Sequence, residues 1–84
     1  QGVLMPTVFR YDGFRFFFYS NEGDPREPVH VHVSKGDGEA KFWIGPNVSV
    51  ARSAGFDART LRRIAAIVAL RSQEIEKAWY EHFS

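Results

Sequence analysis

The stretch Val29–Ile44, VHVHVSKGDGEAKFWI, decides the fold of this 84-residue chain. Its first part alternates valine with histidine, and the part after the turn residues Lys35–Gly38 alternates polar with apolar side chains. Alternation with a period of two is typical of strands that have one apolar face. The segment therefore predicts a β-hairpin at the centre of an antiparallel sheet.

The parity of the two strands predicts their register. A two- or four-residue connection centred on Gly36 and Asp37 pairs odd positions with even ones, whereas a three-residue connection would set valines against polar residues. We therefore expect Val33 opposite Ala40, Val31 opposite Phe42 and Val29 opposite Ile44 on the buried face, with His32 opposite Lys41 and His30 opposite Trp43 on the other face.

Further strands are expected on both sides of this hairpin. Thr7–Tyr11 and Phe14–Tyr19 flank Asp12-Gly13, which is a strong two-residue hairpin signal. Val48–Arg52 follows the breakers Gly45-Pro46-Asn47 and is interpreted either as a short fifth edge strand or as an extended segment.

The last third of the chain predicts a helix. Asp57 is a favourable N-cap, and no proline or glycine follows it. Apolar residues then recur at helical spacing as far as about Phe83, at Leu61, Ile64, Ala65, Val68, Ile75, Ala78 and Trp79. The predicted class is α+β: an antiparallel four- to five-stranded meander with one long C-terminal helix packed on one face.

Length and composition limit the number of domains and exclude several kinds of site and protein class. A chain of 84 residues makes one domain; we expect it over 5–84, with 1–4 an appended remnant or a disordered extension. The absence of cysteine excludes disulfides, thiolate metal sites and a cysteine nucleophile. A net charge of +1 excludes a uniformly basic nucleic-acid-binding chain. No apolar run reaches the roughly 18 residues of a membrane span, and a cytoplasmic location without membrane association or a resident cofactor is predicted.

His30 and His32 are the first candidate functional residues. Positions i and i+2 of a strand share a face, with Cα atoms roughly 7 Å apart. Two imidazoles so placed can act as acid and base or share a metal ion, or they can simply be polar residues on the solvent side. The further ligands that a metal site needs would come from Glu22, Asp24, Glu27, Glu39 and His82, none of which has a diagnostic spacing.

The sheet face opposite the helix is the second candidate, and we call it the outer face. It is expected to carry Arg15, Phe17, Tyr19, His30, His32, Lys41 and Trp43. Exposed aromatic and basic side chains suit a partner-protein or homo-oligomer interface, or the stacking of RNA bases. Alternatively, the loop Ser20–Pro28 folds back and covers the rings. A third candidate is the cluster Arg59, Arg62 and Arg63, which suits phosphate or an acidic partner unless it is an ordinary solvated helix face.

The chain resembles the bacterial family called domain of unknown function 4160. The resemblance extends over nearly the whole chain from Met5, and its most specific element is the strand Pro28–Val33, PVHVHV. It implies a bacterial origin and a small partner protein, as in toxin–antitoxin-like pairs, and it implies no particular catalytic residues.

Two functions are therefore predicted. The first is a small interaction module, one component of a toxin–antitoxin-like pair, that binds a partner protein or RNA through the outer face and the arginine cluster. The alternative is a histidine-based or metal-dependent ribonuclease or hydrolase centred on His30 and His32.

Overall fold

The computed structural model describes residues 4–22 and 27–83. Five strands form one antiparallel sheet in the order β1-β2-β3-β4-β5, so the predicted meander and α+β class are confirmed. The elements are β1 Thr7–Tyr11, β2 Phe14–Phe17, a 3-10 turn Ser20–Glu22, β3 His30–Lys35, β4 Gly38–Trp43, β5 Ser49–Ala54, α1 Ala58–Leu70 and α2 Ser72–Phe83.

The central hairpin has the predicted register. Val33 pairs with Ala40, Val31 with Phe42, His32 with Lys41 and His30 with Trp43. The connection is two residues long, because Lys35 pairs with Gly38. Gly36 has a positive φ of 57° at the first position of this turn, where glycine is favoured.

The inner face of the sheet packs against both helices. Val31, Val33 and Phe42 have no exposed surface, and they form one cluster with side chains from both helices. Burying a residue of this size contributes about 1.5–3 kcal/mol. The helix side chains of the cluster are Ile64, Ile67, Val68, Ile75 and Trp79.

The prediction of one long helix is wrong, because the helical stretch breaks at Arg71. Its backbone has φ −110° and ψ 23°. The apolar stripe has a gap between Val68 and Ile75, so no buried side chain holds this turn. The Arg71 guanidinium instead lies 3.6 Å from the centroid of the Phe9 ring, and its Nε donates to Glu74 Oε1 at 2.8 Å. Side-chain contacts of Arg71 therefore accompany the break.

The expectation of an open outer face is also wrong. His30, His32 and Lys41 are on that face, as predicted, but all three are buried. Residues of the connection between β2 and β3 cover them, since Glu22 contacts both histidines and Glu27 contacts Lys41. The alternative in which this loop folds back onto the face is therefore the one that the described residues support.

Gly38 gives a direct test of the packing between the central hairpin and the segment before α1. A Cβ atom added there would lie 2.3 Å from Phe56 Cε1, far inside van der Waals contact. Gly38→Ala is therefore expected to lower the free energy of unfolding by about 1–3 kcal/mol, measured by urea denaturation. In a Phe56→Ala background the same change should cost less than about 0.5 kcal/mol. Equal costs in both backgrounds would contradict the packing described here.

Candidate metal centre

Glu22 reaches the outer face from the 3-10 turn Ser20–Glu22. The turn is held by backbone hydrogen bonds, in which the Ser20 N–H donates to Leu4 O at 2.9 Å and the Glu22 N–H donates to Tyr19 O at 3.1 Å. The Glu22 side chain is only 15% exposed. A carboxylate so far removed from water needs polar partners, and the strand beside it supplies two imidazoles.

His30 is fixed by contacts on several sides. Its Nδ1–H donates to Pro28 O at 3.0 Å, which leaves Nε2 to point away from the backbone. The ring is fully buried, with its centroid 4.8 Å from the Trp79 ring and 5.5 Å from the Trp43 ring. Nε2 lies 2.9 Å from Glu22 Oε1.

His32 approaches the same carboxylate from the next position on this face. Its Nε2 lies 2.8 Å from Glu22 Oε1 and 2.9 Å from Oε2. The ring packs against Phe17 and Tyr19, with centroid distances of 5.6 and 4.6 Å. The alternation of β3 thus places both Nε2 atoms at one carboxylate, and the three ligand atoms lie within 4.8 Å of one another.

The tautomer of His30 makes this contact unusual. Because Nδ1 donates to a carbonyl, Nε2 of the neutral ring carries a lone pair. That lone pair faces a carboxylate oxygen, which is also an acceptor, and the contact lacks the geometry of a hydrogen bond. His30 Nε2 is a fully buried side-chain nitrogen without a hydrogen-bond partner within residues 4–22 and 27–83. Only a positively charged species between the two atoms, either a proton or a metal ion, removes their repulsion.

Electrostatics favour an anionic Glu22 and a neutral His32. Burial by itself raises the pKa of the Glu22 carboxyl, but the adjacent His30 and His32 outweigh burial and leave this pKa below its ordinary value. Burial lowers the pKa of His32, and the attraction of Glu22 offsets this only in part. A carboxylate and a neutral imidazole are the forms in which these side chains bind metal ions.

The other outer-face residues lie around this cluster. Lys41 Nζ is 3.1 Å from Glu27 Oε1 and 4.4 Å from the centroid of the Trp43 ring. Arg15 lies over the Phe17 ring at 4.4 Å, and its Nε donates to Thr7 Oγ1 at 2.8 Å. Both cations thus have contacts within the protein.

The predicted arginine cluster does not join this site. Arg59, Arg62 and Arg63 are exposed on α1, which packs on the opposite side of the sheet, and Arg63 pairs with Asp12. Among the ligands suggested by the sequence, Glu22 alone joins the two histidines within the described residues. Glu27 pairs with Lys41, Glu39 is exposed, His82 packs against Phe18, and Asp24 lies outside the described residues.

The fold and the site define a small α+β protein that carries a Glu-His-His cluster between its sheet and the loop after β2. The chain belongs to the family described as Domain of unknown function (DUF4160), whose model matches residues 13–80. No curated protein and no solved structure matches it significantly. Within the described part of the chain, neither helix has the length and apolarity that a membrane span requires.

Proposed function

We propose that this protein is a metal-dependent hydrolase in which Glu22, His30 and His32 bind a divalent transition metal ion, with Zn²⁺ as the expected ion. The observation that carries the proposal is the buried Nε2 of His30, which has no hydrogen-bond partner among the described residues and faces a carboxylate shared with His32 Nε2. Two imidazole nitrogens and one carboxylate oxygen are a donor set that zinc enzymes use at catalytic sites, where a fourth position stays open for water.

The surroundings of His30 match those of a metal ligand. Metal-bound histidines usually donate their other ring N–H to a carbonyl or carboxylate, which fixes the tautomer and the ring orientation. The bond from His30 Nδ1 to Pro28 O has this role. Ligand atoms at about 2.0–2.1 Å from a tetrahedral zinc ion are about 3.3 Å apart, so the present contacts of 2.8–2.9 Å would lengthen by only about 0.5 Å on binding.

The chemistry that such an ion supplies is a nucleophile at neutral pH, because bound zinc lowers the pKa of water to about 7. In the proposed hydrolysis, the oxygen of this water bonds to the electrophilic atom of the substrate while the bond to the leaving group breaks. One proton of the water goes to solvent, and the leaving group takes up one proton. A cavity of about 90 Å³ lies beside the cluster, and His32 is the one proposed ligand that lines it.

A proton on His30 is the competing explanation for the cluster. The imidazolium would then form an ion pair with Glu22 that only attaches the loop to the sheet. This alternative predicts no metal binding, so a binding experiment separates the two. The binding of a partner protein or RNA through the outer face and the arginine cluster also stays a prediction, although Glu22 and Glu27 cover His30, His32 and Lys41 on that face.

Zinc binding is expected to stabilise the protein strongly. At a free Zn²⁺ concentration of 100 times Kd, binding to the folded state alone adds about 2.7 kcal/mol to the free energy of unfolding. For a domain of this size that corresponds to a rise in Tm of about 10–20 °C. We expect isothermal titration calorimetry of the metal-free protein to give one site, and Co²⁺ substitution to give the visible absorption of a low-symmetry site.

Two glutamates of the same loop provide matched variants for this experiment. Glu22→Gln removes the proposed ligand and should abolish the rise in Tm, whereas Glu27→Gln removes only the partner of Lys41 and should preserve it. The proposal is wrong if the unmodified protein binds no divalent metal, or if the two variants respond alike to zinc.

A further inference from the structure

A row of outer-face residues crosses the sheet at the proposed metal site. Phe17 on β2 pairs with His32 on β3, His32 pairs with Lys41 on β4, and Lys41 pairs with Arg52 on β5. Two cationic side chains thus stand directly opposite each other on neighbouring strands, an arrangement that destabilises a sheet. Negative charge near Lys41 and Arg52 offsets their repulsion.

Among the described residues, only one of these two cations has an anionic partner. Lys41 pairs with Glu27 at 3.1 Å. Arg52 is exposed and forms no ion pair with the residues of 4–22 and 27–83. Arg52 lies on the side of the sheet that carries the metal cluster, and no carboxylate of the described residues pairs with its guanidinium.

Arg52 and His32 line the same cavity. The cavity has a volume of about 90 Å³, and its wall also includes Phe17, Tyr19 and Glu39. Arg52 and His32 are separated by two strand spacings, about 10 Å between backbones, so the long arginine side chain can approach a group that is bound beside His32. A space of this volume accommodates one small ionic group rather than a whole substrate.

The charges around the cavity favour an anion once the metal is present. Glu22 offsets half of the charge of a divalent ion, and Lys41 and Glu27 offset each other. Arg52 and Glu39, which have no ion-pair partner among the described residues, are of opposite sign. A net positive charge remains, and it is concentrated at the metal and at the guanidinium. These two centres suit a group with several anionic oxygens.

Resting on the proposed function, we infer that the cavity binds the phosphoryl group of a phosphate ester, with one oxygen at the metal ion and others at the Arg52 guanidinium. The planar fork of arginine matches two oxygens of such a group. A carboxylate would fit the same fork, but it offers a hydrolase no bond to cleave. In the reaction, a water oxygen bonds to phosphorus, the bond from phosphorus to the ester oxygen breaks, and that oxygen leaves as an alcohol after taking up a proton.

Inorganic phosphate is the probe for this inference. Zinc-loaded protein, freed of excess metal, is titrated with phosphate and assayed with p-nitrophenyl phosphate and bis(p-nitrophenyl) phosphate. Arg52→Ala should weaken phosphate binding about 10–100-fold, the loss expected for charge-assisted hydrogen bonds, and should leave zinc affinity unchanged. Glu39→Gln should strengthen phosphate binding, because it removes a negative charge from the wall of the cavity.

The controls separate failure of this inference from failure of the proposed function. Arg59→Ala changes an exposed arginine on α1 and should leave phosphate binding unaltered. Suppose that the protein binds zinc, but that Arg52→Ala and Arg59→Ala both keep the phosphate affinity of the unmodified protein. The proposed role of Arg52 is then wrong, whereas the proposed metal site is unaffected. If the unmodified protein binds no zinc, both proposals fail. Preferential cleavage of the monoester or of the diester identifies which class of phosphate ester is the substrate.

Discussion

The His30→Ala variant is expected to bind Zn²⁺ at least about 100-fold more weakly than the unmodified protein. Loss of a residue that only orients a metal ligand already costs about 10–100-fold in affinity, and His30 is a proposed ligand itself. His32→Ala should have a comparable effect, because its Nε2 shares the Glu22 carboxylate with His30. Isothermal titration calorimetry against a competing chelator measures both losses.

His82 supplies the matched control for this pair. It is exposed on α2, packs against the rings of Phe18 and Phe83, and takes no part in the cluster. His82→Ala should therefore bind zinc as the unmodified protein does. Because His30 is fully buried, circular dichroism of each variant must first confirm a folded state, and the partly exposed Glu22 offers a second position if His30→Ala does not fold. Unchanged zinc affinity in folded His30→Ala and His32→Ala would refute the metal centre.

Trp79→Ala is expected to lower the free energy of unfolding by about 3–5 kcal/mol. A domain of 84 residues has a total stability of about 4–13 kcal/mol, so this variant should be largely unfolded in mild denaturant. Trp79 is fully buried and packs against Phe18, Phe83 and His30, with ring centroids 5.3, 4.2 and 4.8 Å away. Removing the indole thus leaves a cavity where α2 meets the sheet.

The next residue on α2 is the control for Trp79. Tyr80 is 54% exposed, and Tyr80→Ala should change the free energy of unfolding by less than about 1 kcal/mol, as surface substitutions usually do. Urea denaturation followed by circular dichroism compares the two variants without relying on tryptophan fluorescence. Similar midpoints for Trp79→Ala and Tyr80→Ala would show that α2 does not pack on the sheet as described.

The contact between Trp79 and His30 links the core to the proposed site. The His30 ring packs against the indole with the two ring planes tilted by 59°, and its Nδ1–H donates a hydrogen bond to Pro28 O. A ligand held by packing and by a hydrogen bond keeps its nitrogen in place without the metal, which lowers the cost of ordering the site on binding. Trp79→Phe keeps an aromatic ring at this position and should therefore bind zinc more tightly than Trp79→Leu. The difference in zinc affinity should exceed the one expected from the free energies of unfolding of the two variants.

The elements of the fold were predictable because their signals are local. Asp12 and Gly13 both have positive φ, as the type I′ turn of a two-residue hairpin requires. Asp57 caps α1, and its carboxylate accepts a hydrogen bond from the Thr60 N–H at 2.7 Å. The register of the central hairpin followed from parity alone. In each case neighbouring residues in the chain carry the information.

The break between the two helices at Arg71 was harder to predict from the sequence. No proline or glycine marks it, and Leu70, which is apolar, is 86% exposed. The one signal in the sequence was the gap in the apolar stripe between Val68 and Ile75. The contacts that accompany the break, with Phe9 and Glu74, involve a strand at the other end of the chain and a residue of the next helix.

The sequence by itself determined which side chains share each face of the sheet, because alternation along a strand leaves no other choice once the valines turn inward. It thereby placed His30 and His32 together, but it gave no reason to prefer Glu22 over four other candidate ligands. The tertiary structure alone decided that both histidines are buried and that the turn Ser20–Glu22 brings one carboxylate to both. A loop without periodicity takes its position from contacts with distant parts of the chain, and no local pattern encodes those contacts.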